Sequence, residues 1–138
     1  MKIYFAGSIR GGREDKDIYA EIISMLKKYG EVLSEHIGDK NLSSYGQTTM
    51  TDSEIYQKDI NWIHEADVIV AEVTTTSLGV GYELGYAESL QKKIVVLYRP
   101  SEGKRLSAMI AGNNHMTCVN YSNVSELEEI FNKIFLSL

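Results

Sequence analysis

Two groups of residues in this 138-residue chain have types and spacings suited to chemistry. The first is an acid: Glu83 lies in Gly79-Val80-Gly81-Tyr82-Glu83-Leu84-Gly85, which reads as the first two turns of a helix. Standing three residues after Val80 and four before Ala87, it shares an edge with the apolar side instead of lying wholly on the solvent face. A carboxylate directed into a cleft is costly unless paired or used. The second group is Gly7-Ser8-Ile9-Arg10-Gly11-Gly12-Arg13, where three glycines around two arginines bring backbone amides and guanidinium groups toward one anion. If the two groups share a pocket, a phosphate-bearing substrate attacked by Glu83 fits. The plainer readings are a solvated helical Glu beside packing glycines, and solvated loop charges at Arg10 and Arg13. Gly81 and Gly85 each weaken a helix by about 1 kcal/mol relative to Ala, so something is expected to approach that face closely.

A second acid and a histidine extend the list. Thr51-Asp52-Ser53-Glu54 offers a capping box, and Ile55, Tyr56, Ile60, Trp62, Ile63 and Ala66 make the following helix amphipathic. Asp59 interrupts that stripe, four residues from both Ile55 and Ile63, and an acid on a buried side needs a partner, a raised pKa or a job. The plainer alternative is pairing with a neighbouring Lys or a helix end. His36 falls at the end of a strand expected over 31–36, either as a hydrogen-bonded structural residue or lining the wall beside a purine or pyrimidine. His64 and Glu65 sit on an outer face, and His115 in a solvated loop. Cys118, the only cysteine, excludes an internal disulfide and reads as a small core residue. No His/Cys/Asp cluster has metal-ligand spacing, so no metal and no cofactor is expected.

The elements that must position these residues alternate. Ile3 to Ala6 reads as a first strand, followed by a helix over Glu14 to Tyr29 with Gly30 as its C′ stop. After the 31–36 strand, residues 38–50 lack periodicity and are expected to form a mobile flap over the site. The second helix leads into Val68-Ile69-Val70-Ala71, whose β-branched run suits a strand covered on both faces. The hydroxyl loop Thr74 to Ser77 then opens onto the Glu83 helix, a position where open α/β sheets bind ligands. Lys93 to Tyr98 and Thr117 to Tyr121 complete the strands. Between them come a proline loop and a short helix over Lys104 to Ala111, and after them Ser125-Glu126-Leu127-Glu128 offers a capping box for a terminal helix.

The pattern predicts an α/β fold: a doubly wound, five-stranded parallel sheet of the Rossmann or flavodoxin-like kind, order 2-1-3-4-5, with helices on both faces and one domain over 1–138. That order puts the ends of strands one and three side by side, so Ser8, Arg10 and Gly11 face Ser77, Gly79 and Glu83 across one crevice. The glycine loop is neither a G-x-G-x-x-G fingerprint nor a P-loop. A net charge of −5 argues against binding nucleic-acid polymers through a basic field. The N-terminus lacks a signal peptide's apolar stretch and no run reaches membrane-spanning length; a cytoplasmic protein without membrane attachment is expected.

FAGSIRGGRED at 5–15, SEH at 34–36, KDINWI at 58–63, ADVIVAEVTTTSLGVGYELG at 66–85 and RPSEGKRLSAMI at 99–110 together resemble the Rcl family of 2′-deoxynucleoside 5′-monophosphate N-hydrolases, within the nucleoside 2-deoxyribosyltransferase superfamily. The resemblance spans nearly the whole chain, with its weakest stretch over Gly38 to Ser53. It implies cleavage of the N-glycosidic bond of a deoxynucleoside 5′-monophosphate to free base and 2-deoxyribose 5-phosphate. By that pattern Glu83 is the nucleophile, forming a covalent deoxyribosyl-enzyme, Asp59 assists departure of the base, and Tyr4 stands beside sugar and nucleophile. Phosphate binding is implied for Ser8, Ile9, Arg10 and Gly11 with Ser77 and Gly79. Ser107, Ala108 and Met109 are implied to reach the site from a neighbouring subunit, hence a homodimer. Alternatives are a deoxyribosyltransferase, a CMP-type ribonucleotide hydrolase and a nucleotide-binding sensor.

Overall fold

The structure is a computed structural model and describes residues 1–46 and 48–138. In chain order its elements are β1 (Lys2–Ala6), α1 (Lys16–Leu26), β2 (Glu31–Val32), α2 (Asp52–Glu65), β3 (Val68–Glu72), α3 (Leu78–Ser89), β4 (Lys93–Tyr98), α4 (Ala108–Ala111), β5 (Thr117–Asn120) and α5 (Leu127–Leu136). The strands form one sheet in the order β2-β1-β3-β4-β5, every pairing parallel. This is the predicted doubly wound architecture. β3 is buried along its whole length and β4 everywhere except its first residue, as unalternating β-branched runs require.

Two cores flank the sheet. On one face Tyr19, Ile22 and Leu26 of α1 meet Leu127, Phe131 and Phe135 of α5 over Ile3, Phe5, Val68, Val70, Val95 and Leu97. On the other, Ile63 of α2 and Val80, Leu84 and Ala87 of α3 cover Tyr4, Ile69, Ala71, Ile94 and Val96. Alternate residues of each strand therefore serve opposite layers. No helix among the described residues is long and apolar enough to cross a membrane.

Several local expectations are corrected. The second strand stops at Val32, and Glu35–Gly38 form a 3₁₀ turn instead. Ser34 explains the early end: its hydroxyl accepts from Phe5 N at 2.8 Å and donates to Phe5 O at 2.6 Å, taking the main-chain partners that a longer β2 would use. The first helix is shorter than expected, and Gly30 is not a left-handed stop, since its φ is not positive. Glycine is needed there because a Cβ would strike the Met1 carbonyl. The Thr51–Glu54 capping box forms on both sides, but the one expected at 125–128 does not: Glu126 accepts from Ser122 N at 2.9 Å, and a 3₁₀ turn at Val124–Glu126 runs into α5.

Cys118 is exposed, not a core residue. It sits on β5 at the sheet edge, where its thiol donates to the Ile110 carbonyl of α4 at 3.7 Å. Beyond its own helix, nothing among the described residues comes within 4 Å of where a Cβ would stand on Gly81 or Gly85, so no packing contact among them accounts for that pair. In the stretch expected to form a flap, Arg13 bonds the carbonyls of Asp39 and Leu42 at 2.9 Å each; residue 47 lies outside the described residues.

Candidate active site

The sheet order sets a switch point between β1 and β3, and the end of β1 with the following turn forms one lip of the crevice that such a point creates. Ser8 is fully buried, its amide donates to the Tyr19 hydroxyl at 3.0 Å, and its Oγ has no hydrogen-bond partner among the described residues. A buried hydroxyl without a partner is uncommon and marks a place where a ligand group can be received. Gly12 turns the chain with φ +133 and donates its amide to Ile9 O at 3.1 Å, a conformation that side chains resist. At Gly11 a Cβ would come within 2.5 Å of Thr76 O and 3.2 Å of Ser77 Cα. The absence of a side chain thus lets the loop after β1 lie directly against the loop after β3, and the expected juxtaposition of Ser8 and Gly11 with Ser77 is met.

The two arginines of this lip behave differently. Arg10 is exposed and pairs with Asp52, at the start of α2, across 2.7 Å. Arg13 donates to the carbonyls of Ser8, Asp39 and Leu42, so it ties the loops together.

The opposite lip is the N-terminus of α3, where Ser77 caps the helix by accepting from Val80 N at 3.3 Å. Gly79 lies exposed in the first turn. One turn on, half-buried Glu83 accepts a hydrogen bond from the Tyr4 hydroxyl on the central sheet. Burial pushes the Glu83 pKa up to about 7; the Tyr4 hydrogen bond pulls it down, and the charge of Asp59 pushes it up again. Tyr4 is itself raised well above the ordinary phenol value, first by burial and then by Glu83 and Asp59. Asp59 projects from α2 with Oδ1 buried and unpartnered among the described residues. Burial raises its pKa to about 6 against the lowering charge of Lys58. Asp59 on α2 therefore acts on both Glu83 of α3 and Tyr4 of β1 in a poorly solvated space.

His36 sits on the 3₁₀ turn, not on a strand, with its ring 5.7 Å from that of Trp62. Lys58 Nζ lies 4.9 Å from the same indole. Burial, followed by Lys58 and Arg13, lowers His36 to about 4, so it is neutral near pH 7 and suited to packing or hydrogen bonding, not to carrying charge.

Ser107, Ala108 and Met109 are not brought to Glu83 within this chain. They are exposed on α4 and its cap; Ser107 and Met109 border a cleft of about 1230 Å³ shared with Ser77, Gly81, Tyr82 and Arg99, whose walls do not include Glu83, Asp59 or Tyr4.

Sequence reasoning missed one constellation at this end of the sheet. Glu72, fully buried at the end of β3, joins Arg99 at 3.4 Å, and Arg99 also pairs with Asp15 at 2.6 Å. The available signals were an acid closing an otherwise apolar strand and a lone cation directly after β4. Among the described residues no group of three or more His, Cys, Asp or Glu is placed to hold a metal ion.

Comparison with known proteins gives the family of the chain. The family model described as nucleoside 2-deoxyribosyltransferase matches residues 3–120. The chain is 48% identical over 142 residues to the 5-hydroxymethyl-dUMP N-hydrolase of Esox lucius, covering 100% of this chain and 98% of that one. It is 57% identical over 113 residues to the putative 2′-deoxynucleoside 5′-phosphate N-hydrolase 1 of Nematostella vectensis, covering 80% and 76%. Among solved structures, the CMP N-glycosidase BcmB of Clostridium botulinum superposes with a TM-score of 0.72 over 97% of this chain and 99% of that one; at 20% identity this is a likeness of fold. On the extent of the family match and of these identities, the chain belongs to the nucleoside 2-deoxyribosyltransferase family.

Proposed function

We propose that the protein hydrolyses the N-glycosidic bond of 2′-deoxynucleoside 5′-monophosphates, giving free base and 2-deoxyribose 5-phosphate, and that a 5-hydroxymethylated pyrimidine nucleotide is among its substrates. The observation that carries the reading is the contact of Glu83 with Tyr4 on the lip opposite the Ser8–Gly11 turn. The names of the relatives at 48% and 57% identity support the substrate class.

In the first step a Glu83 oxygen bonds to C1′ as the C1′–N bond breaks, and the bonding pair leaves with the base. The Tyr4 hydroxyl, bonded to the other carboxylate oxygen, fixes the rotamer and favours the ionised nucleophile. Asp59, whose burial keeps part of its population protonated near neutrality, supplies a proton to the departing base. In the second step water attacks C1′, the ester bond breaks with its pair returning to Glu83, and the water's proton passes to Asp59. The Ser8–Gly11 turn, the Ser77–Gly79 helix start and Arg10 take the phosphate, whose remote binding aligns the sugar. Arg10 must exchange Asp52 for the phosphate to do so.

The active form is a homodimer on this reading. Leu78, Tyr82 and Met109 are exposed large apolar residues on or beside the cleft, and the open space at Gly81 and Gly85 admits close approach by a second copy. Ser107 to Met109 of that copy then complete the site.

The test is a panel of deoxynucleoside monophosphates, including 5-hydroxymethyl-dUMP, scored for free base, together with the corresponding deoxynucleosides and ribonucleotides. Base release from the monophosphates and little from the nucleosides is expected. Formation of a new nucleotide when a second free base is added would replace the hydrolase reading with a transferase one.

A further inference from the structure

Glu72 is the only carboxylate with no exposure among the described residues, and the reaction outlined above does not use it. Its oxygens accept from Thr74 N at 2.7 Å, from Thr74 Oγ1 at 2.8 Å, from Arg99 Nε at 3.4 Å and from the Tyr121 hydroxyl. A carboxylate so far from water persists only when its lone pairs and charge are answered this completely. Arg99 answers the charge and passes the connection on. Its Nη2 meets Asp15 Oδ2 at 2.6 Å, its amide donates to Thr74 Oγ1 at 3.0 Å, and its guanidinium lies 5.9 Å from the Tyr121 ring centre.

Asp15 is the point where this network reaches the cradle. It accepts from Thr75 Oγ1 at 3.0 Å, which ties the loop after β1 to the loop after β3. It also precedes α1, where its carbonyl accepts from Tyr19 N at 2.9 Å. The hydroxyl of that same Tyr19 receives the Ser8 amide. Thr76 and Ser77, the next two residues after Thr75, are those against which Gly11 is packed. Both lips are therefore connected to one buried anchor at the end of the central strand.

We propose that Arg99, seated on Glu72 and gripping Asp15, is a positioning residue that sets the spacing between the two lips of the anion cradle. The proposal rests on the cradle being the phosphate site. It separates sharply from a simple charge effect. Asp15 is an anion near a site for anions, so its neutralisation alone should tighten phosphate binding, both by removing repulsion and by freeing Arg99. If Asp15 serves to space the lips, its neutralisation weakens binding instead.

The experiment uses the full chain with Asp15→Asn, which keeps the shape of the side chain, and Thr75→Val, which removes the hydroxyl while leaving the Asp15–Arg99 pair. Calorimetry measures the Kd for inorganic phosphate, steady-state kinetics the KM and kcat for a deoxynucleoside monophosphate, and melting the integrity of the fold. Both variants are expected to raise Kd and KM by roughly 10-fold, with kcat changed far less and melting temperatures within a few degrees of wild type. Unchanged or lower Kd in Asp15→Asn overturns the proposal, as does a parallel loss of kcat and melting temperature with Kd unmoved. Wild-type protein that binds phosphate but releases no base overturns the hydrolase reading and leaves the Kd comparison standing; wild-type protein that releases base but binds no phosphate overturns the positioning proposal and leaves the hydrolase reading standing.

Discussion

The hydroxyl of Tyr4, on the second residue of β1 to face the α2–α3 layer, donates to Oε2 of Glu83 in the second turn of α3, joining residues 79 positions apart in sequence. The bond serves a carboxylate whose burial already disfavours charge. Without it Glu83 would be more often protonated near neutrality and free to rotate.

Replacing Glu83 with Gln is expected to abolish base release while leaving phosphate binding measurable. It should also stabilise the protein at alkaline pH. A carboxyl at about 7 in the folded chain and near 4.3 when unfolded binds its proton more tightly in the folded state. Wild-type stability therefore falls as pH rises from about 4 to about 7, by roughly 1 to 3 kcal/mol after allowing for partial solvent contact. The amide variant escapes this loss. Its melting temperature should exceed that of wild type at pH 8 and converge with it near pH 5.

The pH dependence of kcat/KM should be bell-shaped and narrow, with limbs near 6 and 7 set by the Asp59 and Glu83 pair. The two values belong to the pair as titrated. In Asp59→Asn one limb is expected to disappear and kcat to drop by roughly 100-fold or more. A single broad plateau from pH 5 to 9 in the wild type would count against two interacting acids.

Arg10 and Asp52 make a prediction of opposite signs. Arg10→Ala should raise KM for monophosphates roughly 10- to 100-fold through loss of a charge-assisted bond. Asp52→Asn should lower it at low salt, because the guanidinium no longer has to leave a 2.7 Å ion pair. Neither change should affect a deoxynucleoside lacking the phosphate.

Ser34→Ala tests the early end of β2. Removing the hydroxyl strands both Phe5 N and Phe5 O in a buried place, at about 2 to 3 kcal/mol. Thermal melting should fall by roughly 5 to 10 °C, and substitution by Thr, which retains a hydroxyl, should recover part of it.

Much of this arrangement was legible in the chain. The buried runs of β3 and β4 and the amphipathic stripes of α1 and α2 carry the sheet order, and the order brings the Ser8 turn against Ser77. Less visible were features decided by single side chains acting across the sequence. Ser34 ends a strand by imitating its neighbour's backbone. Arg13 resembles an anion ligand in sequence, yet three carbonyls claim it. Cys118 has core-like chemistry but stands exposed on the edge strand. Asp59 reads as an interruption of an apolar stripe, and the structure shows the interruption to be a costly one: one of its oxygens is buried without a hydrogen-bond partner among the described residues.

The covalent step is open to direct observation. Asp59→Asn protein mixed with a deoxynucleoside monophosphate, quenched in acid within the first turnover and digested, should yield a peptide containing Glu83 heavier by one 2-deoxyribose 5-phosphate less water. Released base should match that adduct in amount. Release of base with every Glu83 peptide unmodified, or an adduct on a different residue, would contradict the assignment of Glu83 as nucleophile.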